Sequence, residues 1–539
     1  MLSKEEKSQF RSNLFQHLDG IVTAPSAYSL HKKGVTDYLL NKKTCSLSEL
    51  TAQFHANEGY LNVALRILCS QGWLEQHIDN DKDLISFSIN ESSEIAFKNF
   101  FLYEDVVQLL IKSGNYHPRL FEKELFIVLE GIFKKFKNNY DLNFSKNNQS
   151  TLIQKHILKH IEGIILGPTI VHLGMSGMFH KYFMEASFKA EEFHKDPEVF
   201  RRLLDIFVHF GWFNKKNQTY QFSSKGLYFA RRASSYGVTV SYIPTLRNLD
   251  ELLFGNPLAA IELKNGTEEG HVDRPMNVWG SGGAHANYFK IVDEIVIDIF
   301  NKPIEDQPKG ILDMGCGNGA FLQHLFNIIE NQTVRGKMLE DYPLILVGSD
   351  YNETALKITK ANLIQADIWA KIVWGDIGRP DLLAADLHDN YGIDLKELLN
   401  VRTFLDHNRI WQKPKIKEIS RSSNSTGAFA FKGERINNNL VEQSLLEHFM
   451  NWEPFVNKFG LLLIELHTVP PELVGKNIGE TAATAYDATH GYSDQFIVEI
   501  DVFNKLLAEA GLHPEKNSFK KFPNSELATV TVNLFKSNN

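Results

Sequence analysis

A glycine-rich turn between an apolar strand and a helix constrains the fold of this chain most strongly. The stretch GILDMGCGNGAFLQHLF at 310–326 runs from apolar residues through alternate glycines into residues at helical spacing. Glycine lets a backbone turn tightly and approach a ligand closely. An acid opens the turn, which gives D-x-G-x-G-x-G over Asp313, Gly315, Gly317 and Gly319. That acid disfavours the pyrophosphate bound by G-x-G-x-x-G turns and favours a cationic ligand.

From about position 287 the sequence alternates helical segments with short apolar ones. The apolar segments are GILDM, LILVGSD, AKIVWGD, LLNVRTF and LLLIELH, and ELATVTVNLF near the end fits a final antiparallel strand. This alternation predicts a doubly wound parallel sheet with helices on both faces. Ligands of such sheets bind beyond the carboxyl ends of the strands.

Two further acids follow predicted strands. Asp350 ends the second strand, where a carboxylate can accept both hydroxyls of a ribose. Asp376, followed by Ile377, ends the third strand, at a place suited to an adenine amino group. Together with the glycine turn, these motifs resemble class I S-adenosylmethionine (SAM)-dependent methyltransferases. The resemblance implies a Rossmann-like sheet and SAM as cofactor, bound by the turn and by these three residues.

The first half of the chain predicts helices and repeats one pattern. In NEGYLNVALRILCSQGWLEQH at 57–77 and DPEVFRRLLDIFVHFGWFNKK at 196–216, apolar residues recur at helical spacing and a Gly-Trp pair closes the helix. Each copy is followed by a strand-like piece, LISFSI or TYQFSS. Helix, helix and a small β wing are the layout of a winged helix. The repeat predicts that Trp73 and Trp212 are buried at equivalent positions.

These patterns divide the chain into three predicted domains. Residues 1–140 form a helical, winged-helix-like region, residues 141–286 a second such region serving as lid or core, and residues 287–539 the methyltransferase domain. The predicted fold class is α/β, with a Rossmann-like doubly wound sheet preceded by a mainly helical region with winged-helix-like repeats.

Winged helices often bind DNA, but the charge distribution argues against nucleic acid as a partner here. The predicted recognition helices carry only Arg66 in the first copy and Arg201 and Arg202 in the second, which supplies few phosphate contacts. The formal net charge of −8 provides no basic field. We therefore expect these units to pack the core or to form a homodimer.

The sequence also predicts a cytoplasmic protein that does not enter a membrane. The start, MLSKEEKSQF, lacks the apolar core of a signal peptide, and no apolar run reaches the roughly 18 residues of a membrane helix. The chain has only 3 cysteines. They form no C-x-x-C pair, so neither a disulfide scaffold nor a thiolate zinc site is expected.

Several longer stretches resemble a narrower family. They are NVWGSGGAHANYF at 277–289, LLNVRTFLDHNRIW at 398–411, LLLIELHTVPPEL at 461–473 and TAYDATHGYSDQFIVE at 484–499. With the SAM motifs, they are similar to the metal-dependent C-methyltransferases of polyketide synthase loading modules, as in the apratoxin pathway. The resemblance implies methylation of the α-carbon of a malonyl unit on an acyl carrier protein or coenzyme A. It also implies a bound transition metal such as iron.

Two consequences follow for partners and for the cofactor pocket. The sequence carries no acyltransferase or carrier pattern, so we expect any acyl carrier to be another protein. The run GSGGAH precedes the predicted sheet, and its Gly282 and Gly283 are expected to line the SAM pocket, with a plain linker as the alternative.

A metal site is predicted at His467, His490 and Gln495. His467 ends the fifth predicted strand, and the other two flank GYSD in a following segment. Strand ends and their loops converge on the ligand face of such a sheet. Two imidazoles and an amide oxygen suit Fe(II) or Mn(II). The alternative is that both histidines are ordinary loop residues.

The predicted catalytic residues are His407, Asp406 and Glu465. The first two lie in FLDHNR after the fourth strand, and they could orient the substrate, act as a base or bind the metal. The alternative is a helix start, because Asp406 and Asn408 are good capping residues. Two other functions stay open at this point. One is a metal-independent O-methyltransferase with His407 as base, and the other is a SAM-binding regulator that uses its winged helices on DNA.

Overall fold

The computed structural model describes residues 2–113, 123–144, 148–259, 270–416 and 421–537. The helices are α1 Lys4–Lys33, α2 Val35–Lys42, α3 Leu47–Phe54, α4 Glu58–Ser70, α5 Ser93–Lys98, α6 Glu104–Ser113, α7 Lys123–Lys137, α8 Gln149–Met175, α9 Lys181–Glu185, α10 Ala190–Phe193, α11 Pro197–His209, α12 Ser224–Ala230, α13 Ala233–Ser241, α14 Ile243–Leu246, α15 Leu249–Phe254, α16 Arg274–Phe300, α17 Ala320–Gln332, α18 Glu353–Gln365, α19 Pro380–Tyr391, α20 Asn438–Val456, α21 Pro471–Lys476, α22 Ala483–Gly491 and α23 Ile500–Glu509. The strands are β1 Thr44–Ser46, β2 Glu75–Asp79, β3 Leu84–Ser88, β4 Phe188–Lys189, β5 Phe213–Lys216, β6 Thr219–Phe222, β7 Gly310–Met314, β8 Ile345–Asp350, β9 Lys371–Trp374, β10 Leu398–Thr403, β11 Ala430–Phe431, β12 Glu434–Arg435, β13 Leu461–Leu466, β14 Leu512–Pro514, β15 Lys520–Phe522 and β16 Val530–Ser537. No helix in these described ranges is both long enough and apolar enough to span a bilayer.

The chain folds into two compact units. The helical unit comprises residues 1–284, 428–435 and 470–493, and the sheet unit comprises residues 285–427, 436–469 and 494–539. The chain therefore leaves the sheet unit twice and returns to it.

Two three-stranded wings in the helical unit share one topology. The first has the order β1-β3-β2 and the second the order β4-β6-β5, with all pairs antiparallel. In each copy a short strand and two helices precede the remaining two strands. The predicted winged-helix repeat is confirmed.

The Gly-Trp pairs end α4 and α11 in the same way. Gly72 and Gly211 adopt φ values of 70° and 74°, a left-handed conformation that glycine adopts without strain. The N–H groups of Trp73 and Trp212 then donate back into their helices, each at 2.9 Å. Both indoles are only 1% exposed, so the predicted burial of both tryptophans is confirmed.

The helical unit is organised around the long helices α1 and α8, which pack on each other. A Cβ on Gly20 would lie 2.4 Å from Cα of His160, and one on Gly163 would lie 2.5 Å from Cα of His17. Side chains from both predicted helical domains contribute to a single hydrophobic cluster here, for example Ile21 and Ile164.

The sheet unit contains an eight-stranded mixed sheet. Its order is β14-β16-β13-β10-β7-β8-β9, and β15 pairs with β16. Strands β13, β10, β7, β8 and β9 are parallel, whereas β16 runs antiparallel to β13. Each of β7 and β13 is buried along its whole length, as expected for parallel strands covered on both faces. The predicted doubly wound sheet and its antiparallel final strand are confirmed.

Candidate active site

The glycine-rich turn leaves the carboxyl end of β7. Gly315, Gly317 and Gly319 have φ values of 78°, 56° and 79°, a region in which other residues are strained. Space is also limited at two of these positions. A Cβ on Gly315 would lie 2.8 Å from the Leu405 side chain, and one on Gly319 would lie 3.0 Å from Thr359. The positive φ values, together with the limited space at Gly315 and Gly319, favour glycine in this turn.

The acid at the end of β8 braces this turn. Oδ2 of Asp350 accepts from the N–H of Gly317 at 3.0 Å, and Oδ1 accepts from the N–H of Asn352 at 2.9 Å. The hydroxyl of Thr359 donates to the Gly317 carbonyl at 2.9 Å. Hydrogen bonds therefore join the turn and the predicted ribose acid within the sheet unit.

Asp313 is the most unusual group of the turn. It is fully buried, and neither carboxylate oxygen has a hydrogen-bond partner among the described residues. Burial raises the pKa of Asp313 to about 8, and the negative charge of Asp350 adds to the rise. An unpaired buried carboxyl is costly, and a cationic ligand would relieve that cost. This environment fits the cationic amine and sulfonium of SAM.

Asp376 and Ile377 follow β9. Oδ1 of Asp376 accepts from the N–H of Gly378 at 2.8 Å. The carbonyl of Ile377 accepts from the indole N–H of Trp452 at 2.7 Å, which ties this loop to α20. Asp376 is therefore held in place one strand beyond Asp350.

The predicted catalytic residues come together at the carboxyl ends of β10 and β13. Nδ1 of His407 lies 2.5 Å from Oε1 of Glu465, and the N–H of Asp406 donates to Oε2 of Glu465 at 2.9 Å. All three residues are buried. Phe404, at φ 53°, turns the chain between β10 and this pair. A non-glycine residue in that region marks a backbone constrained by its surroundings.

The His407–Glu465 pair has the geometry of a base held by a carboxylate. A donor at Nδ1 facing Glu465 places the lone pair of the ring on Nε2. Glu465 also balances the charge that the ring acquires when it takes a proton. The arrangement can therefore remove a proton from a bound substrate that accepts the methyl group.

Two residues of this network escaped the sequence analysis. Nη1 of Arg402 lies 2.6 Å from Oδ1 of Asp406, and Nε2 of His448 lies 2.8 Å from the same oxygen. Burial opposes ionisation, but Arg402 and His448 outweigh it and lower the pKa of Asp406 to about 2. The guanidinium of Arg402 also lies 3.9 Å from the centre of a Trp452 ring. The arginine inside the apolar segment LLNVRTF is a charged residue in a predicted buried strand and could have indicated a role for Arg402. Nothing in the sequence of α20 distinguishes His448.

The predicted metal ligands have different surroundings. In the sheet unit, Nε2 of His467 lies 2.7 Å from the Thr531 hydroxyl, and Nδ1 lies 3.3 Å from the Val498 carbonyl. Burial lowers the pKa of His467 to about 3. With both ring nitrogens engaged, His467 does not fit a metal ligand in this arrangement.

The other two predicted ligands are buried, one in each unit. In the helical unit, Nδ1 of His490 lies 2.7 Å from the Tyr486 carbonyl. Gln495 belongs to the sheet unit and is 8% exposed. Within the described residues, no group of three or more His, Cys, Asp or Glu side chains is arranged to hold a metal. The metal set therefore stays a prediction.

The run GSGGAH lies inside α16, and its glycines are in the part of that helix within the helical unit. A Cβ on Gly280 would lie 2.6 Å from the backbone of Val238, and one on Gly283 would lie 2.6 Å from Cβ of Ser234. The close packing of α16 on α13 thus accounts for both glycines. Gly282 lies between them in the same helix. A role for Gly282 and Gly283 in lining the SAM pocket stays a prediction.

Three family models match successive parts of the chain. The AprA N-terminal domain matches residues 10–76, the AprA winged helix domain residues 162–256, and the AprA MT2-like domain residues 269–533. The chain is an apratoxin-type SAM-dependent methyltransferase. The glycine turn, Asp350, Asp376 and the His407–Glu465 pair of this methyltransferase all lie in the stretch matched by the MT2-like model.

Solved structures of methyltransferases are similar to this apratoxin-type chain at low identity. The selenomethionine-substituted CurJ carbon methyltransferase is 13% identical with a TM-score of 0.34, over 83% of this chain and 99% of that one. PigF with SAH is 10% identical with a TM-score of 0.41, over 71% and 99%. CalO1, a methyltransferase in calicheamicin biosynthesis in its SAH-bound form, is 13% identical with a TM-score of 0.38, over 69% and 93%. No curated protein sequence matches the chain.

Proposed function

We propose that this methyltransferase transfers the methyl group of SAM to the α-carbon of a malonyl-type acyl thioester, carried by an acyl carrier protein or coenzyme A, in polyketide-like biosynthesis. The observation that carries the proposal is the buried pair of His407 and Glu465, 2.5 Å apart. Methylation of carbon requires a carbanion, so the site must remove a proton from carbon. A buried histidine held by a carboxylate supplies such a base.

The cofactor would be bound by the acids at the strand ends. Asp313 would meet the cationic amine, Asp350 the ribose hydroxyls and Asp376 the adenine amino group. SAM supplies a methyl group on a positively charged sulfur, which makes the methyl carbon electrophilic. The fixed turn would orient the group for in-line transfer.

The residues of the chain would carry out the proton transfer. Nε2 of His407 takes the α-proton, and the electron pair of the broken C–H bond becomes the enolate. Glu465 stabilises the resulting imidazolium through Nδ1–H. The enolate carbon forms a bond to the methyl carbon as the bond from methyl to sulfur breaks, and S-adenosylhomocysteine leaves. The site is buried, so little water competes for the proton.

No step of this mechanism uses a metal, because the hydrogen bonds of His467 to Thr531 and Val498 occupy both ring nitrogens. A Lewis-acid metal at His467, His490 and Gln495 would lower the pKa of the α-carbon. Fe(II) or Mn(II) at that set is therefore no part of this mechanism, and chelation tests this independently of the base.

The experiment follows the mass of a malonyl-loaded carrier protein, and of malonyl coenzyme A, after incubation with enzyme and SAM. The α-carbon is labelled with ¹³C, so NMR of the product shows whether the new methyl group is attached to it. We expect one or more methyl additions on the labelled carbon, formed about 100- to 10,000-fold more slowly with His407→Gln. A product methylated on oxygen, or no transfer to either thioester, would contradict carbon methylation. Methyl transfer to a hydroxylated acceptor instead would support the O-methyltransferase alternative.

A further inference from the structure

A second buried histidine lies beside the His407–Glu465 pair and takes no part in the proton transfer described above. His448 on α20 is 6% exposed, and its Nε2 lies 2.8 Å from Oδ1 of Asp406. Because the pKa of Asp406 is lowered to about 2, this carboxylate is ionised and can only accept. His448 therefore donates through Nε2–H.

Asp406 is held from two sides. Nη1 of Arg402 lies 2.6 Å from the same Oδ1 that accepts from His448. Arg402 comes from β10 and His448 from α20, so two separate elements fix one side chain. The charged groups that act on the His448 ring are Asp406, Arg402 and Arg409. Burial lowers the pKa of His448, and Asp406 opposes this by favouring the protonated ring.

The backbone of Asp406 links this fixed side chain to the His407–Glu465 pair. Its N–H donates to Oε2 of Glu465 at 2.9 Å, while Oε1 of Glu465 lies 2.5 Å from Nδ1 of His407. The N–H of Leu466 also donates to Oε1, at 2.7 Å. Of these contacts of Glu465, only the one from Asp406 depends on a side chain fixed from α20. A shift of Asp406 would therefore rotate the carboxylate and, with it, the imidazole.

We propose that His448 is a positioning residue for methyl transfer: by holding Asp406, it fixes the carboxylate of Glu465 and thereby the orientation of the His407 base. This rests on the proposed role of His407 as base, but not on carbon as the methyl acceptor. A misplacement of about 1 Å in a catalytic group can cost on the order of 100-fold in rate, so a small shift is sufficient for a large effect.

The test compares two substitutions of His448, one that keeps a hydrogen-bond donor and one that removes it. His448→Gln keeps an N–H near the position of Nε2, whereas His448→Leu keeps the bulk and removes the donor. We expect His448→Leu to lower kcat by about 10- to 100-fold and to shift the pH profile of kcat. Its affinity for SAM stays that of the wild type, and His448→Gln recovers most of the rate. His448→Met is a second donor-free variant for use if the leucine protein does not fold.

A readout independent of turnover keeps failure of this proposal distinct from failure of the proposed function. The ¹⁵N shifts of the His407 ring report its tautomer and titration, with the signal assigned by its loss in His407→Gln. We expect a change in the donor-free variant and wild-type shifts in His448→Gln. Unchanged His407 shifts, or equal losses of kcat with one common pH profile in both variants, would overturn the proposal. If no methylated product forms at all, while the His407 shifts in His448→Gln stay those of the wild type, the result would count against the proposed function alone.

Discussion

The N–H of Gly317 donates to Oδ2 of Asp350 at 3.0 Å, and this bond joins the glycine-rich turn to the neighbouring strand. The carboxylate thus has two tasks, since it shapes the turn and also presents acceptor sites to a ribose. Loss of Asp350 should therefore reduce both the order of the turn and its contacts with cofactor.

Asp350→Ala should weaken SAM binding by about 10- to 150-fold, because losing a charged acceptor costs roughly 1.5–3 kcal/mol. Calorimetry with SAM or S-adenosylhomocysteine measures the change. Asp341→Ala is the matched control, since Asp341 is an exposed acid of the same unit. Equal affinities in wild type and Asp350→Ala would remove this residue from the site.

SAM binding should strengthen as pH rises from about 6.5 to 8.5. Burial and Asp350 raise the pKa of Asp313 to about 8, so the free protein holds a proton there at neutral pH. A cationic ligand prefers the ionised carboxylate, so part of the binding energy is used to remove that proton below pH 8.

The ligand's own amine also titrates in this range, so the test compares two proteins. Asp313→Asn cannot lose a proton, and its affinity should follow the titration of the ligand alone. The pH dependence in wild type minus that in Asp313→Asn should therefore rise with pH. Superimposable curves would mean that Asp313 does not meet the cationic group.

His407→Gln and Glu465→Gln should each reduce methyl transfer by about 100- to 10,000-fold, the usual contribution of general acid–base catalysis. Neither residue is placed to hold SAM, so calorimetric affinity for the cofactor should change little. His388→Gln, at an exposed histidine of the same unit, is the control. Activity near wild type in His407→Gln would refute its role as the base.

Trp73→Ala and Trp212→Ala should each lower the free energy of unfolding by about 3–5 kcal/mol, because a large buried ring leaves a cavity. The ring of Trp212 stacks on Phe229, with centroids 4.7 Å apart. Trp369 is 89% exposed, so Trp369→Ala should change stability little. Denaturant unfolding of the three variants, followed by circular dichroism, makes the comparison.

Stringent chelation tests the predicted metal set. Since the mechanism from His407 and Glu465 needs no metal, methyl transfer should persist after chelation, and His490→Ala should leave it intact. Elemental analysis of wild type and His490→Ala accompanies the assay. Loss of metal and activity together, restored by Fe(II) or Mn(II), would instead establish His490 as a ligand.

Local patterns in the sequence determined the sheet, the cofactor turn and the winged-helix repeat. An apolar run followed by D-x-G-x-G-x-G predicts a strand and a turn whose glycines take positive φ, and the structure has that turn after β7. The Gly-Trp pairs likewise mark helix ends that repeat with the same hydrogen bonds. These features depend on neighbours within a few residues, so periodicity and residue type were sufficient.

Only the tertiary structure decided which side chains meet. Glu465 and His407 lie on different strand ends, and His448 reaches Asp406 from a helix whose sequence looks like ordinary amphipathic packing. The same folding gave His467 two partners within the sheet unit, Thr531 and Val498. Hydrogen bonds between distant segments depend on distances of a few tenths of an ångström, which residue spacing along a chain does not encode.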